Sequence, residues 1–126
     1  MSLDVYINDP LETIEKCYCS ACDHEHERVF HKILYHANIT HNLGEMASEA
    51  GLYTYLWRPE EMGLKLAKEL ISGLELGLSI LLNDPQRFMK FNPANGWGSY
   101  ERLVDFTQNY LAACKEYPEA IIEVSR

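Results

Sequence analysis

The spacing of hydrophobic and polar positions changes period along the chain, and each change predicts an element. Leu3 to Ile7 alternate and stop at the turn signal Asn8-Asp9-Pro10, which predicts a short first strand. Alternation resumes at Val29. From there to Leu43, Val29, Ile33, Tyr35, Ala37, Ile39 and Leu43 share one parity, and Lys32, His36, Asn38, Thr40 and Asn42 share the other. This predicts a long second strand. The stretch before it, up to Glu27, has no period and reads as the elaborated loop of a hairpin.

Gly44 opens a helical half. Glu45 to Ala50, with Gly51 behind them, resemble a short helix with its C-terminal glycine, followed by an aromatic turn from Tyr53 to Trp57. Arg58-Pro59-Glu60-Glu61 predicts a helix start, because proline has no N–H to leave unpaired in the first turn and carboxylates favour the positive end of the helix dipole. The expected helix runs to Asn83-Asp84-Pro85 on a stripe of Leu66, Leu70, Leu74, Leu78 and Leu81, joined by Ala67, Ile71 and Leu82. Gly63, Gly73 and Gly77 each weaken it by roughly 1 kcal/mol relative to alanine. Close approach of a neighbouring backbone is the expected compensation. After the polar loop Asn92 to Gly98, Ser99 is a good N-cap for a last helix whose buried face is Leu103, Val104, Phe106, Thr107, Tyr110, Leu111 and Cys114, with Pro118 as the stop. The apolar, β-branched tail Ala120 to Arg126 predicts a third strand.

The expected fold is therefore α+β, a small antiparallel three-stranded sheet of order β-β-α-α-β packed on helices. With 126 residues, the expectation is a single domain, 1–126: a hairpin over 1–43, a helical part over 44–117 and a strand over 118–126.

Net charge narrows the partners. Nineteen acidic against eleven basic residues give −8, which argues against nucleic acid, since affinity for a phosphate backbone comes mostly from Lys and Arg. A basic protein surface or a small cationic ligand suits the overall charge. The five arginines, Arg28, Arg58, Arg87, Arg102 and Arg126, leave room for a local anion pocket. The first residues lack a basic segment followed by an apolar run, and no apolar stretch reaches the roughly 18 residues needed to span a bilayer. Neither secretion nor a membrane is expected, and a reducing cytoplasm turns the cysteines toward metal rather than disulfides. The Asn38-Ile39-Thr40 sequon carries no meaning there.

Cys17, Cys19, Cys22, His24 and His26 crowd into one short segment. Zinc takes four N or S donors in a tetrahedron, and Cys19-x2-Cys22 is a knuckle that supplies two. Asp23, Glu25 and Glu27 add negative charge. The expectation is a structural zinc that staples the hairpin loop, set against a loop with incidental thiols; the sequence leaves open which four of the five candidates bind. Cys114, on the apolar face of the last helix, is expected in the core.

Three further groups carry candidate binding chemistry. Asn38, Thr40 and Asn42 form a ladder of amides and a hydroxyl along one face of the second strand, with His41 on the core parity; a solvated face with Asn42 as a helix cap is the plain alternative. Trp57 and Arg58 form the second group. Asn95, Trp97, Tyr100 and Arg102 form the third, near a helix start that offers N–H groups to an anion. Structural anchoring by the two tryptophans is the competing reading. No nucleophile elbow, phosphate loop or nucleotide-binding glycine pattern occurs.

The segments Asn-Ile-Thr-His-Asn-Leu (38–43), Trp-Arg-Pro-Glu-Glu (57–61), Asn-Gly-Trp-Gly-Ser-Tyr-Glu (95–101) and the closing Val-Ser-Arg make the chain resemble a group of small uncharacterised proteins encoded by bacteriophages and prophages, over nearly everything after residue 27. The resemblance implies a phage accessory protein in the host cytoplasm and implies no reaction. The leading expectation is a non-enzymatic binder that counters a host defence, either by masking a host protein or by sequestering a nucleotide-like signal. Two alternatives stand beside it. One is an enzyme on a small metabolite with His41 as general base and Glu45 or Glu60 as partner; the other is a structural part of the virion, which requires a homo-oligomer.

Overall fold

The structure is a computed structural model that describes residues 2–19, 24–96 and 98–126; within the hairpin, over 13–29, it describes backbone pairing and not side chains. Strand β1 (Ser2–Cys19) pairs antiparallel with β2 (His24–Thr40) on one side and with β3 (Ile121–Ser125) on the other, giving the order β2-β1-β3. The three-stranded antiparallel sheet with helices is the α+β fold that the alternation and the leucine stripes imply.

The hairpin is longer than its alternation indicates. Both strands run on through the aperiodic Cys/His segment, with Cys17 opposite His26 and Cys19 opposite His24. What breaks the pattern is irregular pairing around Asn8, where the register jumps on both sides, from Ile7↔Tyr35 to Asn8↔Ile33 and then to Glu12↔His31. An unpaired residue in a ladder reverses the faces beyond it. Leu34 is the residue passed over on β2; it packs partly buried against the core, while Ile33, expected inside, is 56% exposed. At its other end β2 stops at Thr40. His41–Leu43 is a 3-10 turn, not strand, and its N-cap is Thr40, whose Oγ1 accepts the Asn42 N–H at 3.3 Å. Asn42 is neither the last rung of a strand nor the cap.

Helix α1 (Gly44–Glu49) follows close to its expected position, and the aromatic segment expected as a turn forms a short helix, α2 (Tyr53–Trp57). The long helix expected from Pro59 does not form. Pro59–Met62 makes one 3-10 turn that ends at Gly63 in the left-handed conformation, φ +71°. Leu64 and Lys65 leave the helical path and Leu66 is extended, and the backbone here is used elsewhere: Leu66 bridges Ile121, Ile122 N–H donates to Lys65 O at 2.9 Å, and Ala67 N–H donates to Ala120 O at 2.9 Å. This segment covers the outer edge of β3. The Glu69 carboxylate accepts the N–H groups of Leu66 and Lys65 at 2.9 and 3.1 Å, restarting the chain through the 3-10 turn Ala67–Leu70 into α3 (Ile71–Asn83). The proline and carboxylates are thus a true start signal for a single turn. Tertiary hydrogen bonding to β3 takes the residues that would have continued it.

Leu70 at the N-cap of α3 and Leu74 and Leu81 within it are fully buried, whereas Leu82 is half exposed. The weak glycines have a use. A Cβ on Gly73 would land in the Tyr55 ring and one on Gly77 in the Leu52 side chain, so both positions let α2 and its approach lie directly on α3. Asp84 caps the short α4 (Pro85–Met89), accepting the Arg87 N–H at 3.4 Å. Ser99 caps α5 (Tyr100–Glu116), accepting the Arg102 N–H at 3.2 Å, and the seven residues expected on its inner face are all buried. Leu3, Val5 and Ile7 of β1, Ile39 of β2 and Ile122 of β3 meet α3 and α5 in the core, while Asp4, Tyr6 and His36 lie on the other face, where Tyr6 stacks on His36 at 4.7 Å. Among the described residues no helix is long and apolar enough to cross a membrane.

Candidate functional site

Where β2 ends, the chain has to turn out of the sheet, and the loop before α5 lies against that corner. Gly98 makes the approach possible: its φ is +107°, and a Cβ there would sit 2.8 Å from Thr40 Cγ2 and 3.0 Å from Leu43 Cγ. Asn92 ties down the other side of the loop, its Oδ1 accepting the Tyr100 N–H at 2.8 Å. Between corner and loop opens a cleft of about 1210 Å³, above the roughly 300–1,000 Å³ usual for small-molecule sites. One wall is Ser2 with Asn38 to Asn42; the other is Asn95, Gly96, Gly98, Ser99 and Arg102.

The cleft brings together Asn38, Thr40, His41, Asn42, Asn95 and Arg102 from the residues singled out in the sequence. Ser2, Ser99 and the two glycines were not among them. Their signal was weak, since a helix cap and loop glycines read first as local structure. A smaller depression of about 310 Å³ continues along β2 and α5, sharing Asn38 and Arg102 and adding Asp105 and Asn109.

Three of the other singled-out residues are placed away from the cleft. Tyr100 is 6% exposed and donates its hydroxyl to Leu81 O at 2.7 Å, so it fastens α5 to α3. Arg58 lies beside Tyr53 Oη at 3.5 Å and Glu61 at 3.7 Å. Trp57 is 2% exposed and does not line the cleft. It works from beneath: its Nε1–H donates to His41 Nδ1 at 2.8 Å. Trp57 is itself stacked on Tyr53 at 5.3 Å, and its carbonyl accepts from Arg126 Nη1 at 2.7 Å, an arginine that also pairs with Glu60. Trp97 lies outside the described residues.

The charge pattern of the cleft differs from that of the chain. No Asp or Glu side chain lines it among the described residues. Arg58, Arg87 and Arg126 each pair with a carboxylate, but Arg102 has no ion pair among the described residues. Two of the first three N–H groups of α5, an obvious place for an anion, are already used: Asn92 takes that of Tyr100 and Ser99 that of Arg102. The cleft therefore offers side chains rather than a bare helix end.

Of the metal candidates, Cys17, Cys19, His24 and His26 are placed by backbone register alone, and Cys22 lies outside the described residues. Elsewhere among the described residues no group of three or more His, Cys, Asp or Glu side chains is arranged to hold a metal. Cys114 is buried in the core, where loss of hydration pushes its thiol up to about 12. Comparison with protein-family models, with curated proteins and with solved structures gave no match for this chain.

Proposed function

We propose that this protein is a non-enzymatic binding protein that holds a small polar ligand in the cleft between the end of β2 and the start of α5. The observation that carries the reading is the composition of that cleft: amides from three asparagines, three hydroxyl residues, one imidazole and one arginine converge on a space of about 1210 Å³. Amides present donor and acceptor side by side, which suits the edge of a nucleobase or a comparable heterocycle. Together with the resemblance to phage-encoded proteins, this favours a phage accessory protein that sequesters a nucleotide-like signal of the host over one that masks a basic host protein. To test it, the protein is incubated with a nucleotide extract, washed and denatured, and released compounds are identified by mass spectrometry. One enriched compound, lost in a variant carrying Asn38→Ala and Asn42→Ala, is the expected result; no enriched compound removes the reading. A pull-down from host lysate tests masking separately.

The general-base alternative loses ground on geometry. A base at His41 needs a free ring nitrogen facing the substrate and an acid to orient it. Nδ1 is engaged by Trp57, Glu60 pairs with Arg126, and Glu45 does not line the cleft.

We also propose that the hairpin end carries a structural zinc. The ladder sets Cys17 opposite His26 and Cys19 opposite His24, so four candidate donors stand at neighbouring backbone positions, the number that zinc takes. Elemental analysis of purified protein giving one zinc per chain, lost with Cys17→Ser and Cys19→Ser, is the expected outcome; a metal-free protein of unchanged stability ends it.

A further inference from the structure

We infer that the ligand of the cleft is anionic, a small molecule whose phosphate or carboxylate oxygens are received by the Arg102 guanidinium and by the Nε2–H of a His41 ring that Trp57 holds in a single tautomer. The inference rests on the cleft being the binding site and goes on to name the charge of what it binds.

Two independent observations carry it. The first is the hydrogen bond from Trp57 to His41. An indole nitrogen can only donate, so the atom it meets at 2.8 Å, His41 Nδ1, has to accept. A neutral imidazole that accepts at Nδ1 carries its proton on Nε2. The ring thus contributes a donor to the cleft wall and no lone pair. Trp57 cannot turn away, because it is 2% exposed, stacked on Tyr53 and held at its carbonyl by Arg126. His41 is a binding residue and Trp57 its positioning residue.

The second observation is charge. In a chain of net charge −8, the cleft wall has no carboxylate among the described residues and one arginine without an ion pair. A cation would find no counter-charge there. An oxyanion meets a guanidinium fork and an imidazole N–H, both matched to its lone pairs. Asp105 lines the adjoining depression together with Arg102 and does not line the cleft itself.

The test is histidine nitrogen NMR on full-length labelled protein, titrated with inorganic pyrophosphate, with succinate, with AMP and with uncharged adenosine. Free protein is expected to show His41 protonated at Nε2 and unprotonated at Nδ1. Pyrophosphate or succinate should move the Nε2 signal, and which of the two does so separates phosphate from carboxylate chemistry. Arg102→Gln, on an exposed side chain, should weaken that response about tenfold, the loss of one charge-assisted hydrogen bond. Trp57→Phe should mix the tautomers; if that variant does not fold, His41→Gln, which keeps an N–H donor, should retain binding where His41→Ala loses it. A His41 ring protonated at Nδ1, or adenosine binding as tightly as AMP with neither small anion felt at His41, overturns the inference. The binding reading survives that result if an uncharged compound is still recovered from the extract, and falls only if nothing is.

Discussion

Two segments of this chain combine aromatics with arginine, Tyr53 to Arg58 and Asn95 to Arg102, and the fold uses them in opposite ways. The first is driven inward. Leu52, Leu56 and Trp57 are buried, glycines on α3 admit Leu52 and Tyr55 at close range, and the arginine is turned to Tyr53 and Glu61. The second stays at the surface, with its only described aromatic, Tyr100, folded under it and Asn95, Ser99 and Arg102 left on the cleft wall. The difference lies in what each segment packs on. Residues 52–57 cross a helix that has room for them, while 95–102 meet the end of a strand where the sheet has run out. One segment sets the position of His41 and the other supplies the groups that face it across the cleft.

Four substitutions or conditions would break or sharpen that contrast. Trp57→Ala should have the largest effect, a loss of about 3–5 kcal/mol for a buried tryptophan, read by denaturant unfolding, with the His41 tautomer lost as well; a small effect would mean that the first segment is not the support described. Gly98→Ala comes next. Its positive φ and the nearness of Thr40 and Leu43 predict a cost of about 1–3 kcal/mol and a weaker ligand response, since the loop has to back away from the β2 corner. Tyr100→Phe removes the hydroxyl that serves Leu81 O and should cost about 1–2 kcal/mol while leaving ligand affinity unchanged; a binding defect would put Tyr100 in the site after all.

The smallest effect is expected from acid. Some loss of hydration works against the Glu60 charge, but hydrogen bonding to its own backbone and to Arg126 holds its carboxyl below the usual range. A carboxylate lowered on folding stabilises the protein fully above the ordinary carboxylate value and loses that contribution as pH falls through the lowered one. The Arg126 tether on Trp57 should therefore loosen only in acid, visible as a change in the Trp57 indole N–H signal below the normal carboxylate range and absent in Glu60→Gln.

Much of the fold was legible because local chemistry and packing agreed. Ser99 caps α5 and the whole inner face of that helix follows its spacing; β3 returns as its β-branched residues require. The reading failed where two signals competed. At Pro59 the helix start is real, but Gly63 and the edge of β3 claim the backbone that follows, and a partner more than fifty residues away leaves no trace in a local window. At Asn8 the irregular register shifts the parity, so Ile33 and Leu34 exchange places. Within the site, Asn38, Thr40, His41, Asn42, Asn95 and Arg102 were visible as residue types, whereas their meeting across one cleft was not.

The sequence by itself determined the elements with strong periodicity, the caps that bound them and the concentration of amides and aromatics in two stretches, since these depend on neighbours within a few residues. The tertiary structure alone decided that Trp57 lies under His41, that Arg102 lines the same cleft with no ion pair among the described residues and that Tyr100 belongs to the core. Burial, tautomer and counter-charge are set by groups brought together from distant parts of the chain, and no spacing along it encodes which of them meet.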